Sequence, residues 1–159
     1  MTDSILASAA YVLTDHLKEL RAAVDGLPGE ALDWKPGGED TNSVAVLVTH
    51  VLNSTRWWIS TAVGAPLPDR ERDSEFRVRS GDTAGLLDFL DDFGAQVLVL
   101  LDNAGEIEWA ANRKTHIGPD PDLPDYVPAS FALLHAIEHF GEHVAHVSLT
   151  RQLWEARSG

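Results

Sequence analysis

Apolar residues recur along this chain every three to four positions in four separate segments, the spacing of amphipathic helices rather than strands. The first segment runs from about Ser4 to Val24. Ile5, Ala9, Val12, His16, Leu17 and Leu20 lie near one face, and Gly26-Leu-Pro-Gly29 ends it. The second begins at Asn42 or Ser43, either of which can cap a helix, and stops at Gly64-Ala-Pro66 after Val63. The third begins at Asp82 or Thr83 and runs to about Asn103. The fourth begins at Pro128-Ala-Ser130, with a proline suited to a first helical turn, and runs to about Ala156. Four such helices predict an all-α four-helix bundle, with residues 1–159 forming one domain.

Two connections are long. Residues 65–81 are rich in Pro, Asp and Arg, and residues 105–127 contain Trp109, His116, Tyr126 and most of GPDPDLPDYVP. Connections of this length are unusual in compact domains and are often functional. One of them could hold a short strand pair, which the sequence does not fix. Long connections also let consecutive helices run parallel, so a strict up-down-up-down order is not required. No Gly-rich phosphate loop and no GxSxG elbow is present.

The fourth segment contains LHAIEHFGEHVAHVSLTR, with four of the chain's seven histidines at 135, 139, 143 and 146. On an ideal helix His139, His146 and His143 fall at about 40°, 20° and 80° from His135. All four therefore share one stripe. Leu133, Ile137, Phe140, Val144 and Val147 centre about 120° further round, so the stripe flanks the core-facing side. His139 and His143 are one turn apart, and two such imidazoles can converge on one ion. A lone pair of this kind arises readily on a solvated helix, so a third ligand is needed. His50 is the candidate. On the second helix it shares a face with Val46, Asn53, Ser54, Trp57 and Thr61, which aims it toward the interior. It could equally be a core histidine hydrogen-bonded to a neighbour.

Three histidines from two helices leave coordination positions open, as catalytic rather than structural sites do. Imidazole ligation suits zinc, nickel, iron or copper without selecting among them. Affinity should fall as the imidazoles protonate near pH 6. His135 and His146 are candidates for orienting ligands or carrying protons. Glu142, beyond the stripe's far edge, could orient a ligand or face solvent. Arg151 falls on the core-facing side, where it could clamp a substrate carboxylate or phosphate, or pair with a nearby acid. Trp57 could wall the pocket or pack in the core.

Composition narrows the classes. A net charge of -13 argues against nucleic acid and anionic membranes as partners. The absence of cysteine removes disulfides, thiolate ligands and a cysteine nucleophile. No apolar run approaches the roughly 20 residues that span a bilayer. The N-terminus MTDSILASAAYVL does not read as a signal peptide, so the expected address is cytoplasmic.

Trp34-Lys-Pro36, Asn42-Ser43 and His50 followed by Arg56-Trp57-Trp58 resemble the second-helix signature of the DinB-like superfamily. His139-Phe-Gly-Glu-His143-Val-Ala-His146 through Thr150-Arg151 resembles its fourth-helix signature. The resemblance covers nearly the whole chain. It implies an up-down-down-up bundle with a divalent transition metal held by His50, His139 and His143. In the mycothiol-dependent maleylpyruvate isomerase branch the middle ligand is a glutamate. Here it is His139, which keeps a ligand but changes its charge, so the resemblance does not by itself imply the isomerase reaction. Relatives include transferases that use mycothiol or bacillithiol as low-molecular-weight thiol cosubstrates, and homodimers are common. The expectation is a metal-dependent thiol transferase acting on a small-molecule substrate. The alternatives are a non-catalytic metal-binding or stress-response bundle and a plain helical interaction domain.

Overall fold

Each of the first three long helices starts at a residue whose side chain takes the place of a missing backbone acceptor. The computed structural model describes residues 3–115 and 124–157, so His116 lies outside the described residues. Asp3 caps α1 (Ser4–Val24) by accepting from the Ile5 N–H at 2.8 Å. A short α2 (Gly29–Asp33) and a 3₁₀ turn (Gly38–Asp40) lead to α3 (Val44–Val63). Ser43 caps α3 through the Val46 N–H, and Gly64 ends it in the left-handed region at φ 74°, donating back to the Ser60 and Thr61 carbonyls. Asp82 caps α5 (Thr83–Asp102). The last helix, α6 (Ala129–Ala156), follows Pro128. The four segments read from periodicity are α1, α3, α5 and α6.

The long connections carry structure of their own. Residues 65–81 contain one turn of helix, α4 (Arg72–Glu75). The connection after α5 holds the strand pair. There β1 (Asn112–Lys114) runs antiparallel to β2 (Tyr126–Pro128), with Arg113 opposite Val127.

Contacts between elements set the helix directions. Trp109, just before β1, bonds Asp3 at the start of α1, while Arg151 near the end of α6 bonds the last carbonyls of α1. So α1 and α6 are parallel. On α3, His50 meets His139 and His143, whereas Trp58, further along, meets Phe131 and His135. So α3 is antiparallel to α6. Arg21 of α1 pairs with Asp91 of α5, and Leu27 after α1 is bonded by Thr83 at the start of α5, which makes these two antiparallel. The four helices thus run up, down, down, up. Around the bundle α6 sits between α1 and α3, and α5 closes the ring on their other side.

The core is formed by Leu13, Leu20, Val24, Val48, Leu52, Ile59, Val97, Phe140 and Val147, all fully buried. On α6 the expected apolar face holds, with only Ile137 partly exposed. On α1 it does not. Leu6, Ala9, Leu13, Leu17 and Leu20 face inward, while Ile5 and Val12 are 47% and 38% exposed. Two overlapping apolar stripes exist on α1, and packing against α5 and α6 chose between them. Gly141 allows α1 a close approach to α6: a Cβ there would meet the His16 ring at 3.1 Å. No helix among the described residues is long and apolar enough to cross a membrane.

Candidate metal centre

The antiparallel crossing of α3 and α6 brings three imidazoles together. His139 and His143 stand on successive turns of α6, and their Nε2 atoms are 3.2 Å apart. His50, from the first half of α3, lies against both, with ring centroids 5.2 Å from each. One ligand nitrogen from each residue lies within 4.8 Å of the others. His50 is buried and the other two are half-buried.

These residues fit a metal. Two nitrogens sharing a zinc tetrahedrally at about 2.0–2.1 Å stand about 3.3 Å apart, close to the spacing of the α6 pair. Facing lone pairs at that distance repel unless a proton or a cation lies between them. His139 Nδ1 and His143 Nδ1 are buried without a hydrogen-bond partner.

Burial and mutual repulsion also keep the pair neutral. The pKa of His139 is pushed down to about 3, first by burial and then by the neighbouring charges of His143, His50, His135 and Arg70. That of His143 is pushed down to about 4, again by burial first and then by His50 and His146. The sequence led us to expect proton competition near pH 6. For these two ligands the structure moves it well below that, because both are desolvated within a cluster of like groups.

The far side of His50 is occupied. Its Nδ1 is 2.9 Å from Glu75 Oε2, and Glu75 is only 2% exposed. Arg70 grips the same carboxylate through Nε to Oε1 at 2.8 Å and Nη2 to Oε2 at 2.9 Å. Burial pushes the Glu75 carboxyl up, but the hydrogen bonds from His50 and Arg70 outweigh it and hold the pKa below its ordinary value. Sequence reasoning did not find Glu75 or Arg70. Glu75 is 25 residues from His50, in a connection with no periodicity to read, and only the length of that connection hinted at a role.

The other predicted residues are spread around this core. The His135 ring is 5.6 Å from that of His139, edge-on to Trp58 and stacked on Phe131. The exposed His146 ring is 5.5 Å from that of His143. Glu142 is exposed, and no hydrogen bond joins it to a ligand histidine among the described residues. It points away because it sits beyond the outer edge of the stripe, and the carboxylate that meets a ligand is Glu75. Trp57 is half-buried, and its indole N–H donates to the Thr115 carbonyl at 2.9 Å. Arg151 is committed elsewhere. Its Nη1 donates to the carbonyls of Ala22, Ala23 and Asp25 at the end of α1, and its Nε pairs with Glu155. Unpaired helix-end carbonyls draw a guanidinium strongly, which leaves this one poorly placed to clamp a substrate.

A groove of about 320 Å³ between α3 and α5, lined by Arg56, Ser60, Pro66, Gln96 and Leu100, contains none of these histidines.

The comparisons agree with this architecture. A conserved protein from Enterococcus faecalis, solved by crystallography, has the same fold, with a TM-score of 0.72 at 17% identity over 95% of this chain and 97% of that one. No curated protein matches this chain. The profile of the DinB superfamily matches residues 13–147, which span His50, Glu75, His139 and His143, and the chain belongs to the DinB superfamily.

Proposed function

We propose that this protein is a divalent-metal-dependent enzyme, a transferase that joins a low-molecular-weight thiol of the mycothiol or bacillithiol type to a small electrophile. The observation that carries this reading is the convergence of His50, His139 and His143. Zinc, nickel and iron(II) all suit three imidazoles. When bound, such an ion makes a thiol or water entering an open position more acidic and so a better nucleophile.

The chain's own residues do the rest. His139 and His143 are kept neutral by burial, so their lone pairs stay free for the ion at physiological pH. Glu75 brings a negative charge next to His50, but Arg70 offsets it. The set therefore adds no net negative charge, which favours an anionic partner such as a thiolate. His146 is exposed beside His143, placed to pass the thiol proton to solvent. His135, packed edge-on against Trp58, contributes aromatic surface beside His139, while Trp57, bonded to Thr115, and Arg151 have no substrate role in this scheme. A homodimer in the cytoplasm completes the reading.

Elemental mass spectrometry on tag-free protein, followed by a thiol-transfer screen, tests this. The expected result is about one transition metal per chain and turnover that requires both metal and thiol. No bound metal after incubation with zinc, nickel and iron(II) would sink it.

A second reading is a non-catalytic metal-binding bundle that acts as a sensor or stress-response module. The commitment of Arg151 to the end of α1 favours it, since the expected anion clamp is taken. It predicts bound metal without thiol-dependent turnover.

A further inference from the structure

The connection between α3 and α5 is more than a link. We propose that Glu75, clamped by Arg70, is the positioning residue of the histidine centre. It holds the proton of His50 on Nδ1 and so turns the Nε2 lone pair toward His139 and His143. This inference rests on the metal reading above.

Ionised Glu75 can only accept hydrogen bonds. Arg70 donates to both of its oxygens, and Oε2 also lies 2.9 Å from His50 Nδ1. That nitrogen must then be the donor. A neutral imidazole has one N–H, so Nε2 is left as the acceptor, on the ring that both α6 histidines approach.

A carboxylate 2% exposed is expensive unless it is fully paired. Arg70 and His50 between them supply three donors, and the arginine side chain is itself only 13% exposed. An uncharged residue at 75 would avoid the penalty, so the bond to His50 is the feature that gives this buried ion pair a purpose. The asymmetry with the other ligands points the same way. His139 Nδ1 and His143 Nδ1 have no such partner, so among the described residues His50 is the one of the three whose Nδ1 a side chain holds.

Glu75 ends α4, and Phe76, the next residue, packs on the His50 ring with centroids 4.9 Å apart. Arg72 in turn lies 5.4 Å over the Phe76 ring. Residues 70–76 thus wrap the outer side of His50, and the connection is part of the centre.

Nitrogen-15 NMR of histidine-labelled, metal-free protein tests the tautomer directly. The expected result is a protonated Nδ1 on His50 in the wild type, and a shift toward the Nε2–H form in Glu75→Ala. Zinc titration, with cobalt(II) as a spectroscopic check, is expected to show an affinity about 10–100-fold weaker in Glu75→Ala. Glu75→Gln, which keeps an acceptor oxygen for His50, should recover part of that loss. A wild-type His50 protonated on Nε2 would overturn the proposal. So would a Glu75→Ala protein that binds zinc within twofold of wild type. If Glu75→Ala does not fold, the wild-type tautomer and the Glu75→Gln titration decide. If the wild type binds no metal, the proposed function fails, while the NMR result still decides what Glu75 does to His50.

Discussion

His139 and His143 hold their Nε2 atoms 3.2 Å apart on successive turns of α6, a spacing that either a shared proton or a shared cation satisfies. Removing either ring breaks the set. His143→Ala should cost most of the bound metal while leaving the helix content intact, because position 143 is half-buried at the edge of the core. Elemental analysis and circular dichroism on the same sample check this. Metal retained at wild-type stoichiometry would contradict the assignment.

The same pair predicts how the metal-free protein responds to acid. Its folded-state pKa values lie at about 3 and about 4, below the ordinary histidine value of 6.5. Between those limits the unfolded chain binds protons that the folded chain refuses. Stability is therefore fully present above about pH 6.5 and declines as pH falls toward 4. Urea titrations at pH 7 and pH 4.5 should show this loss. A double His139→Ala, His143→Ala variant should show a flatter pH dependence over the same window. An equal slope in the variant would assign the acid sensitivity to other groups.

Metal retention should follow the same pair. With both imidazoles still neutral at pH 5, their protons compete with the ion only nearer pH 4. Dialysis of the zinc-loaded protein across pH 7 to 3.5, with metal counted at each step, measures it. If His139 and His143 govern the release, its midpoint falls well below pH 6.

Arg151 should be a stability residue. Its Nη1 serves three carbonyls at the end of α1, at 2.9, 3.3 and 2.7 Å. Arg151→Ala should cost about 1–3 kcal/mol, the range for hydrogen bonds from a charged donor, with no change in metal content. Lysine should restore only part of the loss, since it lacks the planar fork. Thermal unfolding and elemental analysis together would separate this from a role in substrate binding, which would leave the melting temperature unchanged.

Phe140 ties the site to the core. It is fully buried between His16 and Phe93, with ring centroids 6.1 Å from each. Phe140→Ala should cost about 3–5 kcal/mol through lost burial and an unfilled cavity. Denaturant midpoints read this loss, and a cost under 1 kcal/mol would mean that the site collapses around the gap.

The sequence by itself determined what is local. Helix periodicity marked α1, α3, α5 and α6, and Ser43 and Asp82 marked starts, because caps and i, i+4 faces depend only on near neighbours. The same rule made the His139 and His143 pair legible, since one helix places both. His50 was legible as a candidate from the face it shares with Val46 and Trp57. Only the tertiary structure decided what crosses between elements. It chose Leu13 over Val12 on α1, since two stripes were equally periodic and packing had to pick one. It gave Arg151 to carbonyls more than 120 residues away. It set the pKa values of His139 and His143, because desolvation and neighbouring charge exist only after the helices assemble. It also carried Glu75 to His50 from an aperiodic connection, where no spacing along the chain records which atoms the fold brings within 3 Å.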